Sequence, residues 1–484
     1  MAKIKMRDMI IIVPGITGSV LQKNGKDIWA ISGHTAWSVL TTLGSSLQQI
    51  KLEGEDHNAD DLGDGVRATR LIQQIVIPGL YKSAGYSILS RLITENFEVE
   101  KGTIDGDELA NFFEFPYDWR RDNRVSARKL QNFIEKRLRQ WREQRYAHAK
   151  VILLAHSMGG LISRYYLEVL EGWKDCRALF TFGTPHRGSV NALNYLCNGY
   201  KKLFLDLSDA MRTFDSVYQL LPVYEMLDVD GTYRRVAEAE NIDQISKERA
   251  QRALAFHREI EDAVNVHWKD AHYRDEYKTI PIVGTRQRTL QSALLLPSGK
   301  IEVYENLPLS FDHLLAGGDL LKDGDGTVPR VSATPIELSK EYRDTFTAER
   351  HSHLQSHAST LDGLLERLKQ MQVENTSEVR GPEISTEKPA ISLYLDDIYL
   401  PEEPIKLHAQ LITAHKDWHP GAVEAIVSQV EGDITCQYQF EESEDGWDLF
   451  IEDLPSGQYQ VEVRTYKGGY KAPSPVHDIF EILR

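Results

Sequence analysis

The chain has 484 residues, 41% of them hydrophobic and 9% aromatic, which is apolar content enough for a large core and too much length for one ordinary domain. Its 56 basic and 72 acidic residues leave a formal net charge of −16, which excludes sequence-independent binding to nucleic acid, where many phosphates must meet Lys and Arg. No run approaches the ~18 uninterrupted apolar residues of a membrane span, so any lipid contact is expected to be peripheral.

The first apolar run, 9–13, is too short for a signal-peptide core and ends in Pro14-Gly15; it reads as a core strand of a cytoplasmic protein. Cys176, Cys197 and Cys436 agree with that compartment, being odd in number and too widely spaced for a disulfide framework or a CxxC metal site. Short apolar runs at 112–115, 151–155, 179–182 and 280–283 are further strands, alternating with stretches of helical period, the pattern of helices covering a doubly wound, mostly parallel sheet. In 126–145, Leu130, Phe133, Ile134, Leu138 and Trp141 recur every three or four residues, giving a helix with one apolar face and its Arg and Lys outward. Residues from 189 to about 275 break the alternation with helical segments and read as an inserted helical cap. At 373–390 the chain turns polar and Pro-containing, a linker closing a first domain of 1–372. Beyond it, segments such as "IKLHAQLITA" and "GQYQVEVRTY" alternate apolar and polar residues, which predicts an all-β, sandwich-like accessory domain over 391–484.

The chemistry is concentrated in "KVILLAHSMGGLISRYYLEVL". A strand delivers Ser157, a turn of small residues leaves its hydroxyl uncovered, and a helix begins behind it: the parts of a nucleophile elbow, with Ala155 standing where glycine is usual. A serine capping a helix is the plain alternative, but a cap does not require small residues on both sides. Serine is a weak nucleophile until a base takes its proton and an acid orients that base. Asp325, in the glycine-flanked turn "KDGDGTVPR", is the candidate acid, with Asp323 as its competitor. "RHSHLQSH" offers His351, His353 and His357, of which one is the base; His351 is favoured and His353 comes second. No metal is expected there, because the segment lacks Cys partners and HExxH spacing. The N–H of Met158, following the nucleophile, and that of Ile16, in "VPGITGS", are the expected oxyanion donors, with Thr17 as alternative to Ile16.

Taken in order, "VPGITGS", "NGKDIW" (24–29), "FPYDWRRD" (115–122), "AHSMGG", "FGTPHRGS" (182–189), "IVGT" (282–285) and "GDGTVP" (324–329) resemble the lecithin:cholesterol acyltransferase-like branch of the α/β-hydrolase lipases. The resemblance spans about residues 9–365 and implies an α/β-hydrolase fold with a cap. It places the nucleophile at Ser157, the acid at Asp325 and the oxyanion donors at Ile16 and Met158. It also places the base at His351, followed three positions on by the apolar Leu354, where His353 would have Ser356. The cysteine-bridged lid and secretion signal of the best-known relatives have no counterpart here, and the C-terminal domain lies outside their pattern.

The expected activity is a cofactor-free serine hydrolase or acyltransferase acting on lipid esters, touching the membrane peripherally through the cap. A soluble carboxylesterase or thioesterase, and a non-catalytic binding protein on the same fold, are the alternatives. In "PYDWR", Asp118 and Arg120 are expected to form a buried ion pair, and Tyr117 and Trp119 to fill core or line the pocket.

Overall fold

The computed structural model describes residues 3–30, 49–72, 74–77, 81–199, 207–306, 323–338, 346–373, 389–412, 421–430, 432–465 and 472–483. The expected linker, 373–390, falls almost wholly outside them.

Six strands form the central sheet: β1 (Met9–Val13), β2 (Phe112–Glu114), β3 (Val151–His156), β4 (Cys176–Phe182), β5 (Lys278–Gly284) and β6 (Phe346–Thr347). Every pairing is parallel and their order is β6-β5-β4-β3-β1-β2. All residues of β1 and β3 are buried, as a parallel sheet covered on both faces requires. Their side chains alternate between two cores: Met9, Ile11 and Leu153 enter one, Ile10, Ile12 and Ile152 the other. On the second face lie α1 (Ser87–Asn96) and α5 (Ala358–Val373); on the first lie α2 (Asn123–Gln144), α3 (Met158–Glu168) and α4 (Lys247–His267). This is an α/β-hydrolase-like arrangement. From β1 the chain steps outward to β2 and returns to β3 on the opposite side of β1. The direction of winding therefore reverses between β1 and β3, and the crevice beyond their C-terminal ends is where such sheets place ligands.

Three details depart from the sequence reading. Helix α2 starts at Asn123, three residues earlier than expected, because Asp122 accepts a 2.8 Å hydrogen bond from Arg124 N–H and caps it. Its Arg137 is not outward but 2% exposed, donating to the Thr103 and Glu108 carbonyls. The cap region is not purely helical either. Strands Leu227–Val229 and Thr232–Arg234 join Ser292–Leu295 and Ile301–Tyr304 in a small sheet that ties the insertion to the loop after β5.

The C-terminal region contains β7 (Ala390–Leu395), β8 (Ile398–Tyr399), β9 (Ile405–Ile412), β10 (Val423–Gln429), β11 (Thr435–Gln439), β12 (Glu441–Ser443), β13 (Gly446–Ile451), β14 (Gly457–Thr465) and β15 (Val476–Ile482). They form two sheets, β7-β9-β13-β12 and β8-β15-β14-β10-β11, antiparallel except for β8 with β15. Leu393 and Leu407 from the first sheet and Val427 and Val461 from the second meet in one core. The contact with the α/β domain is polar and buried. Gln287 accepts from Leu393 N–H and donates to Ile391 O, both at 3.0 Å, continuing the edge of β7. Lys82 lies 2.8 Å from both Asp397 and Asp478.

Candidate active site

Ser157 sits at the end of β3 with φ 51° and ψ −126°, a left-handed conformation strained for a side chain with a Cβ. The serine occupies the cap position of α3, yet its hydroxyl makes no capping hydrogen bond. The small residues behind it have a measurable cause. A Cβ on Gly159 would lie 2.4 Å from Pro14 O, and one on Gly160 only 1.9 Å from Thr184 Oγ1, so β1, α3 and the loop after β4 could not close around the turn.

The Ser157 hydroxyl lies 3.1 Å from His351 Nε2, and His351 Nδ1 lies 2.8 Å from Asp325 Oδ2. With Nδ1–H donating to the carboxylate, Nε2 is left to accept the serine proton. Asp325 is fixed twice more: Oδ1 accepts from the N–H groups of Thr327 (2.9 Å) and Val328 (2.6 Å), while its carbonyl accepts from His351 N–H at 2.8 Å. All three side chains are buried. Met158 is the first residue of α3, so its N–H has no helical acceptor. Among the described residues, neither it nor the Ile16 N–H enters a backbone hydrogen bond. Thr17 takes positive φ, 57°, and its hydroxyl turns back to the Ile16 carbonyl.

The competing candidates lie elsewhere. Asp323 accepts from Arg286 N–H and pairs with Arg330 at 2.9 Å, facing away from the histidines. His353 has Ser352 Oγ 2.9 Å from Nδ1 and Gln460 3.0 Å from Nε2, and stacks on His477. It faces the C-terminal domain, and burial pushes its pKa down to about 4.

Several contributors escaped the sequence reading. Gly183 (φ 58°) and Gly284 border the acid–base pair: a Cβ would lie 2.8 Å from His351 Nδ1 on the first and 2.4 Å from Asp325 Cβ on the second. Both stand in the quoted motifs "FGT" and "IVG", so their signal was present without its reason. A buried relay also links the loop after β1 to His351. Gly15 N–H donates to Tyr86 Oη (2.8 Å), that hydroxyl meets His156 Nδ1 (3.2 Å), and His156 Nε2 meets the His351 carbonyl (3.2 Å). Desolvation, followed by the neighbouring His351, holds the His156 pKa well below its ordinary value, so the neutral ring serves the relay.

The "PYDWR" segment props the loop after β1. Tyr117 Oη donates to Pro14 O (2.9 Å) and Trp119 Nε1 to Ser19 O (3.0 Å), while Trp29 Nε1 reaches Thr17 O (3.1 Å). Arg120 pairs with Asp118 at 2.6 Å and with Asp64 at 2.9 Å.

Residues 105–280 match the lecithin:cholesterol acyltransferase family model. The segment runs from before β2 into β5 and contains the elbow. Over it the chain is lecithin:cholesterol acyltransferase-like, as its motifs imply, and the family's chemistry is that of a lipid ester hydrolase or acyltransferase. Among solved structures, Bacillus licheniformis lipase BlEst2 in propeptide form is 12% identical, covering 99% of this chain and 95% of its own with a TM-score of 0.34. Phospholipase PlaB from Legionella pneumophila is 11% identical, covering 98% and 90% with a TM-score of 0.20. No curated protein matches the chain. The lecithin:cholesterol acyltransferase-like segment holds Ser157, Met158 and His156, while Asp325 and His351 lie beyond it.

Proposed function

We propose that the chain is a serine hydrolase or acyltransferase that cleaves lipid esters, phospholipid or acylglycerol, through an acyl-enzyme. The observation that carries this is the continuous hydrogen-bond line Ser157–His351–Asp325 at 3.1 and 2.8 Å. In the proposed reaction His351 Nε2 takes the Ser157 proton as Oγ attacks the ester carbonyl. Asp325 keeps Nδ1–H oriented and stabilises the imidazolium, and the Met158 and Ile16 N–H groups receive the oxyanion. Collapse expels the alcohol, which takes its proton from His351. Water or a second alcohol, deprotonated by the same nitrogen, then releases the acyl group from Ser157.

Two further parts of the reading concern where the enzyme works. Val266 and Trp268, 63% and 43% exposed near the C-terminal end of α4, are the apolar side chains the cap would offer to a lipid surface. Among the described residues no helix is long and apolar enough to cross a membrane. The three cysteines are unpaired, which supports a reducing cytoplasm.

The test is Ser157→Ala assayed on p-nitrophenyl esters and on phospholipid vesicles, with fluorophosphonate labelling alongside. Loss of both turnovers and of the label is expected. Activity retained within tenfold would overturn the reading, and turnover of short soluble esters alone would instead select a soluble esterase or thioesterase.

A further inference from the structure

We propose that Glu349, His357 and His477 form a binding site for one divalent metal ion of the zinc class, clasping the histidine turn to the C-terminal domain. Glu349 and His357 bracket His351 in sequence, while His477 lies on β15, more than a hundred residues away. One donor atom from each lies within 4.8 Å of the other two. Glu349 Oε2 is 2.9 Å from His477 Nδ1 and 3.7 Å from His357 Nε2. Tetrahedral zinc, with bonds of roughly 2.0–2.1 Å to nitrogen and oxygen, spaces its ligand atoms by about 3.3 Å, so small side-chain rotations suffice. Two imidazoles and one carboxylate are a donor set that zinc takes, with the fourth position left to water.

The surroundings aim these donors at one another. Glu349 Oε1 is occupied by the N–H groups of Arg350 (2.8 Å) and His477 (3.0 Å), which turns Oε2 toward the rings. His357 Nδ1 meets Ser359 Oγ at 2.9 Å, and His477 Nε2 has Glu462 3.7 Å away. Such outer partners fix ring orientation at metal centres. Glu349 is fully buried, and His357 is 6% exposed. The metal-free alternative is a hydrogen-bonded cluster in which Glu349 and the Pro475 carbonyl satisfy the two rings. The ion would be a cross-link and not a reagent, since Ser157, His351 and Asp325 complete their contacts without it. The sequence reading set a metal aside at "RHSHLQSH" because the segment lacks Cys partners and HExxH spacing; of the three ligands only His357 belongs to it, Glu349 immediately precedes it and His477 comes from the far end of the chain.

The experiment measures zinc bound to full-length protein by plasma mass spectrometry after stripping with EDTA, reloading with zinc chloride and desalting. Thermal unfolding is followed in both forms. One zinc per chain and a Tm several degrees higher when loaded are expected, with His357→Gln and His477→Gln each weakening uptake by about tenfold or more. Absence of saturable one-to-one uptake by the wild-type chain would overturn the proposal, whether or not the variants fold. Undiminished zinc in both folded variants would overturn it too. Ser157→Ala is expected to bind zinc as wild type does, so this outcome is independent of ester cleavage.

Discussion

The elbow at 153–160 and the histidine turn at 349–357 meet in two hydrogen bonds, Ser157 with the His351 ring and the His156 ring with the His351 carbonyl, yet they are held by opposite means. The elbow is local: β3, a strained serine and two glycines pressed against β1 and Thr184 specify it within eight residues. The histidine turn has almost no regular structure, only a three-residue 3-10 turn at His351–His353, and is fixed from outside. Asp478 on β15 reaches Arg350 (2.6 Å), Ser352 (3.0 Å) and Lys82 (2.8 Å), and Gln460 on β14 reaches His353. Ser157 therefore depends on close packing, whereas His351 depends on buried polar contacts with another domain.

That contrast is open to measurement. The largest effect is expected from Asp325→Asn, which keeps the shape but favours the wrong His351 tautomer; kcat should fall about 10⁴-fold with the fold intact. Asp478→Ala takes the buried carboxylate away from Arg350 and leaves Lys82 with Asp397 alone, and should destabilise the chain by about 3–5 kcal/mol in denaturant titrations, with kcat falling before global unfolding. Equal loss of kcat and of native circular dichroism would instead deny the turn its separate dependence.

Acidification tests the neutral histidines near the elbow and cap. Burial pushes His257 down to about 4 beside His186, and His186 and His156 are both held well below their ordinary value. Because these folded pKa values lie below the unfolded value, the unfolded chain binds more protons between them. Stability is therefore complete above about pH 6.5 and is lost as the pH falls, by roughly 3 kcal/mol near pH 4 for His257 alone. His257→Gln should flatten that slope in urea midpoints measured across pH.

Gly183→Ala, where a Cβ would lie 2.8 Å from His351 Nδ1, should lower kcat by about 100-fold through displacement of the base, with little change in secondary structure. The smallest effect is expected from Tyr86→Phe. It removes the hydroxyl between Gly15 and His156 and should cost about 1 kcal/mol of stability with a modest rise in the barrier, read from kcat.

The same contrast governs what the sequence disclosed. Five of the six core strands were legible because buried parallel strands are unbroken apolar runs; β6, two half-buried residues, has no such run. Ser157, Asp325 and His351 were singled out because elbow, turn and register are short-range signals, and the structure places those three side chains together. Arg137 was misplaced because periodicity shows where an apolar stripe lies, not which cation finds carbonyls inside. Asp478, His477 and Gly183 act on residues far away in the chain, and nothing within a few positions of each announces the partner. The β-rich C-terminal region was read as accessory for that reason: its alternation shows how it folds on itself, not that β14 and β15 touch the turn bearing His351.

The grip of Asp478 on Arg350 and Ser352 also bears on how such a protein could be redesigned. An α/β half grafted onto another tail would keep the setting of Ser157 and lose the anchor of the His351 turn, so the two halves would have to be transplanted together despite their separate hydrophobic cores.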